Sequence, residues 1–400
     1  GLVGSEMCIR DRDSTESNDT KSPETQQEQA LPQRDDKNRK PDAVNDSFGV
    51  RPGRATVLPV LQNDSDPDGD VLTAVPGNAP SWASSLRSGR GGGALVLDVP
   101  ANATGSGTFS YTAADGRGES DDAAVSLSVH PWTTNSPPEQ WRPQSSVTLV
   151  AGGQAQYDVR PDWLDPDGDP FYIASVTAPE GMTAKFREDG VVTVRDLGKL
   201  KPGRYQVKIV MRDERDSTEG VLNVDVRDRA AVPPVANADH VRVIKDREVV
   251  VTPLKNDTDA NGDELRLAQV SPPPAGARVI MDSTTGTFRF SSSVAGTIYL
   301  DYVVSDGPST ATGVVRVDVV DVDPNGQPTA EDDVALLPAG GRTTVAVLDN
   351  DFDPAGGVLV VQSFSVKPDS GLTVEVLDRE KLRISAAGGL KDQASFTYSV

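Results

Sequence analysis

Short runs of alternating apolar and polar residues recur along the chain. Val125, Leu127 and Val129 alternate with Ser126 and Ser128, Leu222, Val224 and Val226 with Asn223 and Asp225, and Val315, Val317 and Val319 with Arg316 and Asp318. A period of two predicts a strand with one face on a core and the other in water. Two of the three follow an aromatic stretch and an Asp-Gly pair: Phe109-Ser110-Tyr111 before Asp115-Gly116, and Tyr299 to Tyr302 before Asp306-Gly307. Asp-Gly between such strands predicts a hairpin, because glycine reaches the positive φ that the turn needs.

A longer period overlies the short one. Asp64-Ser65-Asp66-Pro67-Asp68-Gly69-Asp70 returns as Asp165-Pro166-Asp167-Gly168-Asp169, as Asp257-Thr258-Asp259-Ala260-Asn261-Gly262-Asp263 and, worn, as Asp351-Phe352-Asp353-Pro354-Ala355-Gly356. The marker residues Asp66, Asp165, Asp259 and Asp353 are 99, 94 and 94 residues apart. A fixed period of that length means four copies of one small domain rather than one large enzyme. Three copies open on a similar segment (Pro41 to Asp46, Pro234 to Asp239, Pro328 to Asp333), each with its first proline 25 residues before the marker, whereas the second takes 27 from Pro138. The copies fall at residues 41–130, 131–228 (the divergent one), 229–322 and 323–400. About seven strands in each, with turns every 8–12 residues, predict an immunoglobulin-like sandwich. The fold class expected is therefore all-β: tandem immunoglobulin-like (cadherin-like) β-sandwiches in an elongated array, joined at stiffening prolines and reaching about 150 Å in a straight row. In the fourth copy only Ser399 and Val400 follow the aromatic stretch Phe396-Thr397-Tyr398, so its last strand or strands are expected to be missing.

The ends and the charge refine this. Residues 1–12 read as translated adaptor sequence rather than native protein, and 13–40 as a polar linker too poor in apolar residues to order itself. Sixty acidic against 39 basic residues give a net charge of −21. Such a chain repels nucleic acid and anionic membrane surfaces and attracts cations, although acidity also serves simply to keep a long chain soluble. Cys8 is the one cysteine, which excludes intrachain disulfides and thiolate metal sites. No apolar run is long enough to span a bilayer.

The Pro-x-Ala-x-x-Asp opening, the Leu-x-Asn-Asp-x-Asp-x-x-Gly-Asp block (Leu61 to Asp70, Leu254 to Asp263) and the aromatic, Asp-Gly close together resemble the bacterial Ig-like or cadherin-like tandem repeats of large exported surface proteins. The resemblance covers about residues 41–400. It implies a non-catalytic, extracellular, often calcium-associated spacer or adhesive array. The second copy departs from it with Trp163-Leu164 in place of Asn-Asp, and the fourth with Gly357 in place of the final Asp.

Asp64, Asp66 and Asp68 with Gly69, and Asp257, Asp259 and Asn261 with Gly262, match the first half of a calcium loop, in which alternate oxygens converge on one hard cation. The helix-hand form needs Glu at the twelfth position; Val75 and Ala268 stand there, so that form is rejected. Asp70 or Asp263, or Asp46 and Asp239 from the opening segments, are candidates to complete a shell on a sandwich, and Asp165, Asp167 and Asp169 are the corresponding set in the second copy. The competing reading is a tight turn whose carboxylates cap backbone amides. His130 and His240 carry no catalytic motif, and Gly89 to Gly93 lacks the Lys-Ser/Thr of a phosphate loop. Asp378-Arg379-Glu380 echoes a cadherin calcium triplet by chance more readily than by design. Trp82, Trp132, Trp141 and Trp163 are read as core or junction packing before sugar stacking. The expected function is a non-catalytic spacer or adhesion array at a bacterial cell surface, monomeric and holding calcium, with other surface proteins or glycans as partners and neither nucleic acid nor a membrane span. The alternative is a glycan-binding accessory region of a cell-wall-active enzyme.

Overall fold

The computed structural model describes residues 37–230, 232–322, 326–386, 388, 390 and 393–400. The segment read as non-native and the polar linker up to residue 36 lie outside the described residues. The linker's last residues do not hang free: Asn38 donates to Asp115, and Lys40 lies 2.5 Å from Asp121.

Alternation along the first repeat produces seven strands: β1 (Asp46–Val50), β2 (Arg54–Leu58), β3 (Thr73–Pro76), β4 (Ser85–Ser88), β5 (Leu95–Val99), β6 (Gly105–Ala114) and β7 (Ser120–Val129). They form a four-stranded sheet, β1-β7-β6-β3, facing a three-stranded one, β2-β5-β4. Antiparallel pairing prevails, but β1 runs parallel to β7, from Asp46 opposite Val125 to Val50 opposite Val129. The inward residues Leu58, Leu95, Leu97, Phe109, Tyr111, Val125 and Leu127 fill the space between the sheets. This is the immunoglobulin-like sandwich, and the same two sheet orders recur in repeats 2 and 3. In repeat 4, strands Arg342–Val345, Lys381–Ala386 and Leu372–Leu377 make the three-stranded sheet, and the other sheet holds only Ser363–Ser365 and Thr397–Ser399 among the described residues. Each repeat has its own apolar core.

Two details differ from the simple alternation. The Asp-Gly pairs sit in loops longer than a two-residue hairpin, with Gly116 at φ 76° and the whole of 115–119 between β6 and β7. Asn223 and Arg316, on the faces read as solvated, are buried. Asn223 donates to the carbonyls of Pro143 and Ser145, while Arg316 donates to the Val71 carbonyl of repeat 1 at 2.6 Å.

That last contact belongs to a set that folds the row back on itself. Tyr299 of repeat 3 donates to the carbonyls of Val71 and Asp115, Arg87 of repeat 1 donates to the Asn350 carbonyl of repeat 4, and Arg383 of repeat 4 lies 2.8 Å from Glu188 of repeat 2. Short proline-bearing connectors turn the chain between sandwiches, and long basic side chains find carbonyl and carboxylate oxygens on repeats that are not adjacent in sequence. The straight row expected from the linkers is therefore not the arrangement seen. No helix among the described residues is long and apolar enough to cross a membrane.

Candidate functional site

In repeats 1 to 3 the acidic blocks lie after the second strand, where the chain crosses back from the three-stranded to the four-stranded sheet. In repeats 1, 3 and 4 a single antiparallel bridge ties the opening segment to the block: Asp42 with Ser65, Val235 with Thr258 and Thr329 with Phe352. Inside the block the marker carboxylate caps the turn with one oxygen. Asp66 Oδ1 accepts N–H bonds from Asp68 and Asp70 at 2.8 and 3.1 Å, Asp165 Oδ1 from Asp167 and Asp169 at 2.9 and 3.1 Å, and Asp259 Oδ1 from Asn261 and Asp263, both at 2.9 Å. The capping reading of these residues is thus visible in the hydrogen bonds. The Oδ2 of each of these three, Asp66, Asp165 and Asp259, is buried without a hydrogen-bonding group from the described residues.

Three groups of carboxylates have ligand atoms within 4.8 Å of one another: Asp66, Asp70 and Asp115; Asp165, Asp167 and Asp169; Asp259, Asp263 and Asp306. Asp115 and Asp306 were read from the sequence only as hairpin aspartates. They enter because the loop between the two longest strands folds over the block, and Asp115 is fully buried there. Their equal placement after Tyr111 and Tyr302 is the one sequence signal that could have found them. Other expected ligands point elsewhere. Asp68 pairs with Arg39, and Asn261 bonds the backbone of Ala230 and Val232. Asp64 and Asp257 face Tyr111 and Tyr302. Convergence of alternate positions 64, 66 and 68, as in a helix-hand loop, is therefore replaced by convergence of positions 66, 70 and 115, because a sandwich block is a tight turn and not a long loop. In repeat 4 both oxygens of Asp353 are capped, by Ala355 and Gly357.

The electrostatics of the three groups differ. In repeat 1, burial pushes the Asp66 carboxyl up, and Arg117 lies 3.0 Å from Asp70. In repeat 2, burial raises Asp165 to about 6, and Arg51, Arg54 and His130 surround the block. In repeat 3 no ion pair reaches Asp259, Asp263 or Asp306 among the described residues.

A second polar cluster repeats in the sandwiches. The Tyr111 hydroxyl donates to Asp64 at 2.8 Å and lies 2.9 Å from the Val60 carbonyl; Tyr302 meets Asp257 and the Asn237 carbonyl, and Tyr398 meets Asp333, Asp351 and the Val347 carbonyl. Burial, and then the neighbouring carboxylate, lift Asp46 and Asp239 to about 7, and burial above all lifts Asp333 to about 7. Repeat 2 lacks the cluster. Counting back from the marker sets Trp163 at the place of Asp64, one residue off the alignment read from sequence, and strand register sets Ile209 at the place of Tyr111.

The tryptophans do not form an exposed row. Trp163 is buried, Trp82 packs on the core of repeat 1, Trp141 stacks with Arg142, and Trp132 lies against Arg51 and Arg54. His240 bonds Asp318 at 2.7 Å across neighbouring strands. Asp378 pairs with Lys255 and Glu380 with Arg90, so the Asp378-Arg379-Glu380 triplet is engaged in contacts between repeats.

Residues 38–128, 231–318 and 325–400 match the sequence family described as a bacterial Ig domain; the divergent copy lies outside these spans. No curated protein matches. Among solved structures, the chain is similar to Drosophila N-cadherin EC1-4 (14 % identity, TM-score 0.28, 87 % of this chain and 92 % of that one). It is similar also to the N-terminal four Ig domains of Dscam1 (12 %, 0.27, 88 % and 99 %). An endo-fucoidan hydrolase of glycoside hydrolase family 107 aligns at 18 % identity and TM-score 0.23 over 71 % of this chain, which spans only 44 % of the hydrolase. Likeness this weak carries no argument about activity.

Proposed function

Because the chain belongs to the bacterial Ig domain family, we propose that it is a non-catalytic spacer and adhesion array on a bacterial cell surface, stiffened by calcium in some of its repeats. Surface proteins or glycans are its partners. The observation that supports calcium is the buried marker oxygen, Asp66 Oδ2 and Asp259 Oδ2, left without a hydrogen-bonding group inside a ring of carboxylates. Asp66, Asp70 and Asp115 would hold the ion in repeat 1, and Asp259, Asp263 and Asp306 in repeat 3. Backbone carbonyls and water complete a shell of six to eight oxygens, the number calcium takes. Repeat 3 offers the better site, since Arg117 competes in repeat 1.

Peptide-resolved hydrogen exchange of the full chain, with 1 mM calcium and with chelator, tests this. With an affinity of about 10⁻⁴ M, typical of extracellular modules, each site adds about 1.4 kcal/mol to its own repeat. Repeats 1 and 3 are expected to gain protection, repeats 2 and 4 to stay unchanged, and Asp259→Asn to abolish the gain in repeat 3 alone. Identical exchange in both buffers would remove calcium from the account. Among the described residues one tryptophan, Trp132, is exposed, and no row of aromatics favours the glycan-binding alternative; retention of the chain on insoluble cell-wall polysaccharide, lost in Trp132→Ala, would restore it.

A further inference from the structure

The turn that leaves β1 carries an arginine where the next two repeats carry an aliphatic residue. Parallel pairing sets Val50 opposite Val129, Leu149 opposite Val226 and Val243 opposite Val319. Arg51, Val150 and Ile244 therefore occupy one register position. This position abuts the acidic block of the following repeat, as the bond from the Val150 N–H to the Ala260 carbonyl shows. Arg51 is 1 % exposed. Its Nε and Nη2 donate to Asp169 Oδ2 at 3.0 and 2.6 Å, Nη2 also to Asp167 Oδ2 at 3.1 Å, and Nη1 to the carbonyls of Pro131, Thr134 and His130 at 2.7, 3.0 and 3.4 Å.

A buried guanidinium persists only where its donors are met, and here carboxylate and carbonyl oxygens meet all of them. Those are the ligand types a hard divalent cation takes. The block has adapted to this occupant. Asp167 is fully buried and faces Arg51, whereas Asp68 and Asn261 at the same place in their blocks turn to other residues. Arg54 adds a contact to Asp169 at 3.1 Å, and His130 Nδ1 lies 3.1 Å from Asp167 Oδ1. The backbones also touch directly, since a Cβ on Gly49 would stand 1.7 Å from the Pro166 carbonyl oxygen.

We propose that Arg51 is the built-in cation of this junction: bonded to Asp167 and Asp169, its guanidinium supplies the positive charge that the Asp165, Asp167 and Asp169 block would otherwise draw from a divalent ion, and fixes repeat 1 to repeat 2 without metal. The proposal is independent of calcium in repeats 1 and 3, whose failure would show in the wild type as indifference to chelator.

Chymotrypsin cleavage after Trp132, in the connector that Arg51 holds, reads the junction in the full chain. Wild type is expected to be cut slowly in chelator and in calcium alike. Arg51→Ala is expected to be cut about tenfold faster in chelator, because the connector opens locally while the sandwiches stay closed. Millimolar calcium is expected to restore protection, since the vacated carboxylates then take the ion. Arg51→Lys keeps the charge but not the fork, and should fall between. Hydrogen exchange in the two separate cores is expected to be unchanged in Arg51→Ala. Slow cleavage of Arg51→Ala in chelator would overturn the proposal. So would fast cleavage that calcium does not slow, or loosening of either core.

Discussion

Trp163→Ala is expected to unfold repeat 2 while the cores of repeats 1, 3 and 4 remain intact. The indole is 1 % exposed, among the largest fully buried side chains, and packs in the cluster with Val159, Ile209, Met211 and Leu222. Gly220 makes the room for it: a Cβ there would lie 2.5 Å from the ring. Removing so large a buried side chain costs about 3–5 kcal/mol, which approaches the whole stability of a small domain, about 5–15 kcal/mol. Trp163→Phe should cost less, because the indole N–H is buried without an acceptor and its loss relieves that penalty. Hydrogen exchange resolved by peptide checks both variants; equal protection of repeat 2 in wild type and Trp163→Ala would show that the indole is not its keystone.

In the other three repeats pH takes the part that Trp163 plays in repeat 2. Unfolded, Asp46, Asp239 and Asp333 ionise near pH 4 (about 3.9 for a free side chain); folded, they keep the proton to about pH 7. The folded form binds more protons across that window, so stability is highest below it, falls as pH rises from 4 to 7, and stays low above. Asn at these positions keeps a hydrogen-bonding side chain and removes the charge. In the triple variant Asp46→Asn, Asp239→Asn, Asp333→Asn the loss of stability of repeats 1, 3 and 4 between pH 5 and pH 8 is expected to shrink, leaving only the smaller response of the other raised carboxyls. The variant's gain at pH 8 is about 1–2 kcal/mol per repeat once solvent screening of these partly exposed groups is discounted. Repeat 2 has Trp163 and Ile209 in place of the Asp and Tyr, and its own pH response, set by Asp165 at about 6, is expected to be the same in wild type and variant. Melts in chelator at the two pH values check this, and an unchanged pH response in the triple variant would refute it. At the acid end other groups govern. Burial opposes ionisation of Asp318, yet hydrogen bonds from His240, Thr297 and Arg316 hold it well below the usual carboxylate range, and that contribution is lost as pH falls through its lowered value.

The sandwich was legible because a strand is a local object. Val125, Leu127 and Val129 announce their inward face by spacing alone, and the marker aspartates announce four copies by theirs. The carboxylate groups were half legible. Asp66, Asp70, Asp259 and Asp263 come together from within one turn, but Asp115 and Asp306 arrive from a loop some 40 residues further along the chain, and only strand register brings them in. Arg51 was illegible for a stronger reason. Nothing in Val50-Arg51-Pro52 marks a buried cation, since its charge is met by a block 116 residues away, in the next sandwich. Asn223 and Arg316 escaped in the same way: each lies on the outer face of its strand, where alternation predicts solvent and a neighbouring segment supplies the cover.

The side-by-side course of β1 and β7 bears on load. Since the two run in the same direction, the chain enters a sandwich at one pole and leaves at the other, and a tug on its ends slides one against the other. Rungs from Asp46–Val125 to Val50–Val129 then resist together rather than peeling one at a time. A force-extension trace on the tethered chain should show tall, separate rupture peaks for repeats 1 to 3, and a lower one for repeat 4, where this clamp is not formed among the described residues.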